Sequence, residues 1–280
     1  MPYKNGGMRP VDRIAGRSTI LFLGSGGARF VVARQLRSSA GMWMRFGDTQ
    51  IHVDPGPGAL VRALSHVPPC NPRELDGIVL SHKHLDHSGD VNAVIEAMTS
   101  GGFRPRGQVL APHDAFENGP VVLPYAQRYT DAVVRLDASS GPYQVGDVAL
   151  RTTRAHHHAV QTYGLLLAYD NLRVAYLPCG RYFDELADDY AAFAPHVLVT
   201  NVLFYRNVPN VDHLSWEGAR EVIEAVRPQV AVFQHFGTKM LEAQPRRLAQ
   251  ELEDELGIRA IAAYDGLTLD LETEVAAVVD

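Results

Sequence analysis

The chain has only two cysteines in 280 residues, Cys70 and Cys179, too few for a disulfide framework, so each reads as a thiol. No apolar run approaches the roughly 20 residues needed to cross a bilayer, and no membrane partner is expected. The opening stretch MPYKNGGMRPVDRIAGR lacks the apolar centre of a secretory signal, so the cytoplasm is the expected location. Positive charge is not in excess. The 26 Lys and Arg stand against 32 Asp and Glu, a formal charge of -6, which disfavours a broad nucleic-acid footprint. Internal repeats, low-complexity tracts and linkers are also missing. With 46% hydrophobic and 21% charged residues, the composition is that of an ordinary globular protein.

Residues 1–17 are polar, Gly-containing and basic, and read as a poorly ordered lead-in to one domain over 18–280. Apolar runs and turn residues predict early strands at Thr19–Leu23, Met42–Phe46, Gln50–Val53, Gly77–Leu80 and Val109–Ala111. Later strands are expected at 148–152, 164–169, 173–177, 197–203, 230–233 and 258–263. Helical periodicity marks 59–65, 89–99, 184–193, 216–226 and 245–256. Strands and helices interleave in both halves. The simplest arrangement is an α/β domain of two packed sheets with helices outside.

The chemistry-bearing run is Ser81-His82-Lys83-His84-Leu85-Asp86-His87, directly after the strand Gly77–Leu80. In extended chain His82 and His84 point the same way, while a turn into the next helix swings Asp86 and His87 toward a second point. That spacing fits two metal positions. Imidazole and carboxylate suit Zn, Mn or Fe, and paired ions roughly 3.5–4 Å apart can activate water and stabilise the oxyanion that forms.

His-x-His-x-Asp-His at residues 82–87 resembles the signature of the metallo-β-lactamase-fold hydrolases. Leu23-Gly24-Ser25-Gly26-Gly27, Asp54-Pro55-Gly56-Pro57-Gly58 and Tyr264-Asp265-Gly266 resemble, within them, the ribonuclease Z-like and carbon-phosphorus lyase-associated phosphodiesterase branch: its opening strand-turn, its Asp-x-Gly turn and its closing strand. The resemblance spans most of residues 18–272 and implies a four-layer αββα sandwich with metals at the upper edge of the sheets. It also implies a third His after the middle strands. His158, six residues before Gly164, matches best among His156, His157 and His158, with His156 the alternative. His235, in Val-Phe-Gln-His-Phe-Gly, resembles the family's last ligand and should complete the Asp86 and His87 site. Cys179 stands where the family usually carries an Asp bridging the two metals. It is either a thiolate ligand that favours Zn or Fe, or a buried thiol beside a single metal.

His213 precedes a helix that Ser215 can cap, and in ribonuclease Z-like relatives a His there contacts the phosphate or protonates the leaving oxygen. Asp54 either orients a ligand His or simply fixes a turn. His52, His66, His113 and His196 fall outside these motifs and read as structural or surface residues. Gly24-Ser25-Gly26-Gly27 spells neither a dinucleotide fingerprint nor a phosphate loop, so no nucleotide cofactor is expected.

The implied activity is metal-dependent phosphodiester hydrolysis with one or two Zn2+ ions, Mn2+ and Fe2+ being alternatives. Asp86 and His213 are the candidate catalytic residues, and a hydroxide held by the ions is the attacking group. Small or cyclic diesters are the expected substrates. A tRNA 3′-processing endonuclease is the nearest rival, disfavoured because no Gly- and Lys-rich arm is present. A metal-binding sensor with an impaired site is a further alternative, motivated by Cys179. The resemblance also allows a homodimer, which no residue pattern fixes.

Overall fold

A computed structural model describes residues 17–276. Apart from Arg17, the lead-in expected over 1–17 lies outside the described residues. The first sheet holds β1 (Thr19–Phe22), β2 (Met42–Phe46), β3 (Thr49–Val53), β4 (Gly77–Val79), β5 (Gln108–Pro112) and β6 (Ala132–Leu136). The second holds β7 (Tyr143–Val145), β8 (Val148–Ala155), β9 (Tyr163–Tyr169), β10 (Leu172–Leu177), β11 (Val197–Asn201), β12 (Val230–Gln234) and β13 (Arg259–Ala262). A last strand, β14 (Leu267–Asp270), returns to pair antiparallel with β1.

The two sheets share one plan. The first runs β14-β1-β2-β3-β4-β5-β6 and the second β13-β12-β11-β10-β9-β8-β7. Antiparallel pairing joins β14 through β3 and β7 through β10. Parallel pairing joins β3 through β6 and β10 through β13. Carboxyl ends of parallel strands therefore meet along one edge of the sandwich, where sites on α/β sheets are commonly built.

Side-chain alternation makes the layers. Ile20, Phe22, Met42, Met44, Ile51 and Val53 join Leu165, Leu167, Val174, Tyr176, Val197 and Val230 in the core between the sheets. The intervening residues of the first sheet, among them Leu21, Trp43, Ile78 and Val109, face outward. They pack with α2 (Ala59–Ser65) and α4 (Val91–Thr99), the second and fourth helices after α1 (Ala28–Arg34) and α3 (Leu85–Ser88). α5 (Pro124–Gln127) adds Ala126 to that layer. On the other side Leu166, Ala175, Leu198, Ala231 and Phe233 pack with α6 (Asp188–Phe193), α7 (Trp216–Val226), α8 (Thr238–Glu242) and α9 (Pro245–Leu256). The result is an αββα sandwich, closed by α10 (Leu271–Ala276) after β14. Each fully buried Val, Leu, Ile, Phe or Met side chain contributes roughly 1.5–3 kcal/mol of transfer free energy.

α7 shows how sequence sets a helix that borders the site. The Ser215 hydroxyl accepts from the Gly218 amide at 3.2 Å, and Ala219, Val222, Ile223 and Val226 form the buried stripe. Several boundaries differ from the sequence reading. The helix expected at 89–99 is α4, starting at Val91, and a separate short helix, α3, precedes it across Gly89-Asp90. The one expected at 184–193 begins at Asp188, and the strand expected to reach Leu203 ends at Asn201. Tyr264-Asp265-Gly266 is the turn before β14, not a strand. Among the described residues no helix is long and apolar enough to cross a membrane.

Candidate metal centre

Strand ends deliver the site. The run after β4 carries His82, His84, Asp86 and His87; the chain beyond β8 brings His158; β10 ends two residues before Cys179; β12 leads into His235. Three sets have ligand atoms within 4.8 Å of one another: His82, His84 and His158; Asp86, His87 and His235; and His82, His87 and Cys179. Four separate stretches of backbone thus converge. His158 Nε2 faces His84 Nδ1 at 3.0 Å, and His87 Nε2 faces His235 Nε2 at 3.1 Å. Cys179 Sγ lies between the two groups, 3.5 Å from both His87 Nε2 and His235 Nε2.

The three consecutive histidines have separate fates. His158 joins His84, and its Nδ1 meets the Asp212 carbonyl at 2.8 Å. His156 is buried under the second sheet's edge, where its Nδ1 reaches the Cys179 carbonyl at 3.2 Å and its Nε2 the Tyr190 hydroxyl at 3.0 Å. His157 is exposed and stacks on Phe183. Alternation turns His157 away from its neighbours, and the bend that the chain enters at His158 parts that ring from His156.

Asp54 is the hub beneath the ligands. Its Oδ1 accepts from the Ser81 amide at 2.7 Å; its Oδ2 accepts from Ser81 Oγ at 2.6 Å, His87 Nδ1 at 2.9 Å and Tyr176 Oη at 3.0 Å. Tyr176 reaches it from the opposite sheet, so one carboxylate ties both halves together at the site. Asp54 and His235 both adopt positive φ, 53° and 62°, a region that non-glycine residues enter at a cost of about 1–2 kcal/mol. Surrounding hydrogen bonds hold Asp54 there.

Sequence reasoning missed Ser81, Tyr176 and Asn201, whose amide contacts both Tyr176 Oη at 3.1 Å and Cys179 Sγ at 3.5 Å. It also missed what the glycine-rich turn does. A Cβ on Gly27 would lie 2.1 Å from His235 Nδ1, so only glycine lets the turn press on that ring. The next amide, of Ala28, donates to Asp86 Oδ2 at 3.0 Å. Asp265 holds the turn by accepting from the Ser25 amide at 2.9 Å, Ser25 Oγ at 2.8 Å and the Ser38 amide at 2.8 Å.

Burial pushes His82 down to about 4, so its ring is neutral. For Asp86 and Asp54 burial is the largest influence and opposes ionisation, but His87 together with His235 at Asp86, and His87 together with His82 and Ser81 at Asp54, hold both carboxyls below their usual range. Burial likewise opposes a thiolate at Cys179, and His235 and His87 overcome it, lowering that group well below its ordinary range. The anions in turn raise His87 and His235 despite their burial. The cluster is a ring of coupled anions and imidazoles.

A cation suits this arrangement. His82 Nε2 is buried without a hydrogen-bond partner among the described residues, although its ring centroid lies 4.1 Å from that of His87 and 5.0 Å from that of His84. Buried polar atoms are rarely left unpartnered. Five imidazoles, a carboxylate and a thiolate form a donor set typical of zinc and iron.

The sandwich and its His-x-His-x-Asp-His edge define a metallo-β-lactamase-fold metallohydrolase. Residues 49–236 match the β-lactamase superfamily domain, and the chain belongs to that superfamily. An uncharacterised protein of Methanocaldococcus jannaschii is 27% identical over 261 residues, 91% of this chain and 96% of its own length. Ribonuclease Z of Kineococcus radiotolerans is 29% identical over 154 residues, 54% of this chain and 46% of its own. Among solved structures, the metallo-β-lactamase fold protein YhfI of Bacillus subtilis superposes with a TM-score of 0.70 at 16% identity, covering 91% of this chain and 99% of that one. A diphosphatase of the PhnP family gives 0.62 at 19% identity, covering 90% and 96%. The short form of human tRNase Z gives 0.66 at 13% identity, covering 90% and 99%.

Proposed function

We propose that the centre holds two divalent cations, zinc in the first place and manganese or iron(II) otherwise, and hydrolyses small or cyclic phosphodiesters. His82, His84 and His158 would hold one ion, and Asp86, His87 and His235 the other, with Cys179 between them. The observation that carries this reading is the pair of imidazole contacts, nitrogen to nitrogen, at 3.0 and 3.1 Å beside the unpartnered His82 Nε2. Bound ions would supply Lewis-acid polarisation of the phosphoryl group and a nucleophile at neutral pH.

The chain's own groups supply positioning and proton transfer. Asp54 accepts from His87 Nδ1 and so keeps the Nε2 lone pair of that ring directed into the cluster. Asp86 stays ionised, fixed by the Ala28 amide. His213 stands over the centre, its ring centroid 5.2 Å from that of His158 and 6.0 Å from that of His235, and its Nδ1 is buried with no partner among the described residues. We assign it delivery of a proton to the departing oxygen. The acidic charge supports small substrates over tRNA.

The test is turnover of bis(p-nitrophenyl) phosphate and a 2′,3′-cyclic nucleotide after restoring Zn, Mn or Fe(II), beside a gel shift and cleavage assay with precursor tRNA. Metal-dependent diester turnover without tRNA binding is the expected result. Cleavage of a lactone or thioester, with no diester turned over under any metal, overturns the assignment; tight binding and cleavage of tRNA would move it to the nuclease.

A further inference from the structure

The cations around the centre are not equivalent. Lys83 stands between two candidate ligands, yet its ammonium is turned aside, donating to the Asp114 carbonyl at 3.2 Å with Asp114 Oδ2 at 3.6 Å. Arg206 donates to Glu217 Oε1 at 2.6 Å and is likewise engaged. Arg181 differs. It lies two residues beyond Cys179, and its amide donates to the His157 carbonyl at 3.1 Å, which fixes its backbone beside the histidine run. Its side chain is 53% exposed and makes no hydrogen bond among the described residues. The contact it has is a loose ion pair, Nε 3.8 Å from Asp212 Oδ1. Asp212 also receives His158 Nδ1 on its carbonyl and immediately precedes His213. A guanidinium with its donors unfilled therefore lies beside Asp212, whose carbonyl meets His158 and whose neighbour in the chain is His213.

An exposed pair of that length contributes little, so an incoming anion can draw the guanidinium away from Asp212 at small cost. A phosphate offers what the Asp212 contact lacks, a planar two-pronged match to the guanidinium fork. Resting on the diesterase reading above, we propose that Arg181 binds a second anionic group of the substrate, a phosphate monoester carried beyond the scissile diester. It makes this contact away from the reacting atoms, in the ground state and transition state alike. Arg181 therefore sets affinity and choice of substrate without changing the chemical step.

The experiment uses the zinc-loaded full chain with thymidine 5′-(p-nitrophenyl phosphate), with and without a 3′-phosphate. In the wild type the 3′-phosphate should lower KM by about tenfold or more, the worth of a charge-assisted contact. R181A should abolish that difference while kcat and the KM of the plain ester stay unchanged. R181K should keep a fraction, since an ammonium retains charge without the fork. A wild type indifferent to the 3′-phosphate, or a preference that survives in R181A, overturns the proposal. If neither ester turns over, the diesterase reading fails separately, and calorimetry of thymidine 3′,5′-bisphosphate against thymidine 5′-phosphate decides for Arg181: a tighter fit lost in R181A upholds it, and equal affinities overturn it.

Discussion

Asp54→Asn replaces one oxygen beneath the centre with an amide and leaves the shape almost unchanged. The retained oxygen can still accept from the Ser81 amide. The new NH2 group meets three donors, Ser81 Oγ, His87 Nδ1 and Tyr176 Oη. The two hydroxyls can rotate and accept, but an imidazole can accept at Nδ1 only by moving its proton to Nε2. That nitrogen is the one facing His235 and Cys179. The variant thus installs the tautomer of His87 that cannot ligate. Loss of a hydrogen bond to a charged partner costs about 1.5–3 kcal/mol, which corresponds to roughly 10–100-fold in metal affinity. Zinc titration of the metal-free protein against a competing chelator reads this directly, with circular dichroism to verify the fold. The Asp86, His87 and His235 position should weaken by that factor while the His82, His84 and His158 position holds. Equal binding of two ions by wild type and variant would refute the reasoning.

Gly27→Ala should drop metal loading toward one ion per chain by elemental analysis, because the added methyl collides with His235 Nδ1; undiminished loading would show that the ring can yield. Cys179→Asp replaces a soft donor with a hard one and should raise manganese affinity relative to zinc, read by competition between the two ions; an unchanged ratio would remove the thiol from the ligand set. His213→Ala should lower kcat about 100-fold or more with metal content intact, and a kcat within a few-fold of wild type would exclude proton delivery from this ring. Burial pushes His52 down to about 4 from 6.5, so the unfolded chain takes up a proton that the native state refuses. Its contribution is complete above pH 6.5 and falls away toward pH 4, by about 2 kcal/mol between pH 7 and pH 5. Urea unfolding of His52→Gln should show a flatter decline over that interval than wild type, and parallel declines would contradict this origin.

Much of the sandwich was legible because its strands are apolar runs ended by turn residues, as in Gly77–Val79 before Ser81 and Val230–Gln234 before His235. The strands that escaped are those whose burial is partial. β6 and β7 stand at sheet edges with several half-exposed or exposed residues, so the apolar signal fades. α1 escaped because it follows three glycines in four residues and is only seven residues long. At the site, residues in the His-x-His-x-Asp-His run declared themselves by spacing, since short-range geometry alone throws His84 and His87 to different points. Choosing among His156, His157 and His158 required the register of β8 against β9, including its irregularity between Thr152 and Ala155. Tyr176 looked like any buried strand aromatic; its task arises from the opposite sheet, where Asp54 receives its hydroxyl. Gly27 was legible only as part of the opening strand-turn; its contact with the ring depends on His235, more than 200 residues further along.

Anomalous diffraction at the zinc edge from crystals of the zinc-loaded chain tests the whole account most directly. Two peaks are expected, one among His82, His84 and His158 and one among Asp86, His87 and His235, with Cys179 Sγ within bonding distance of at least one. A fully loaded crystal with no anomalous peak between those rings would contradict it.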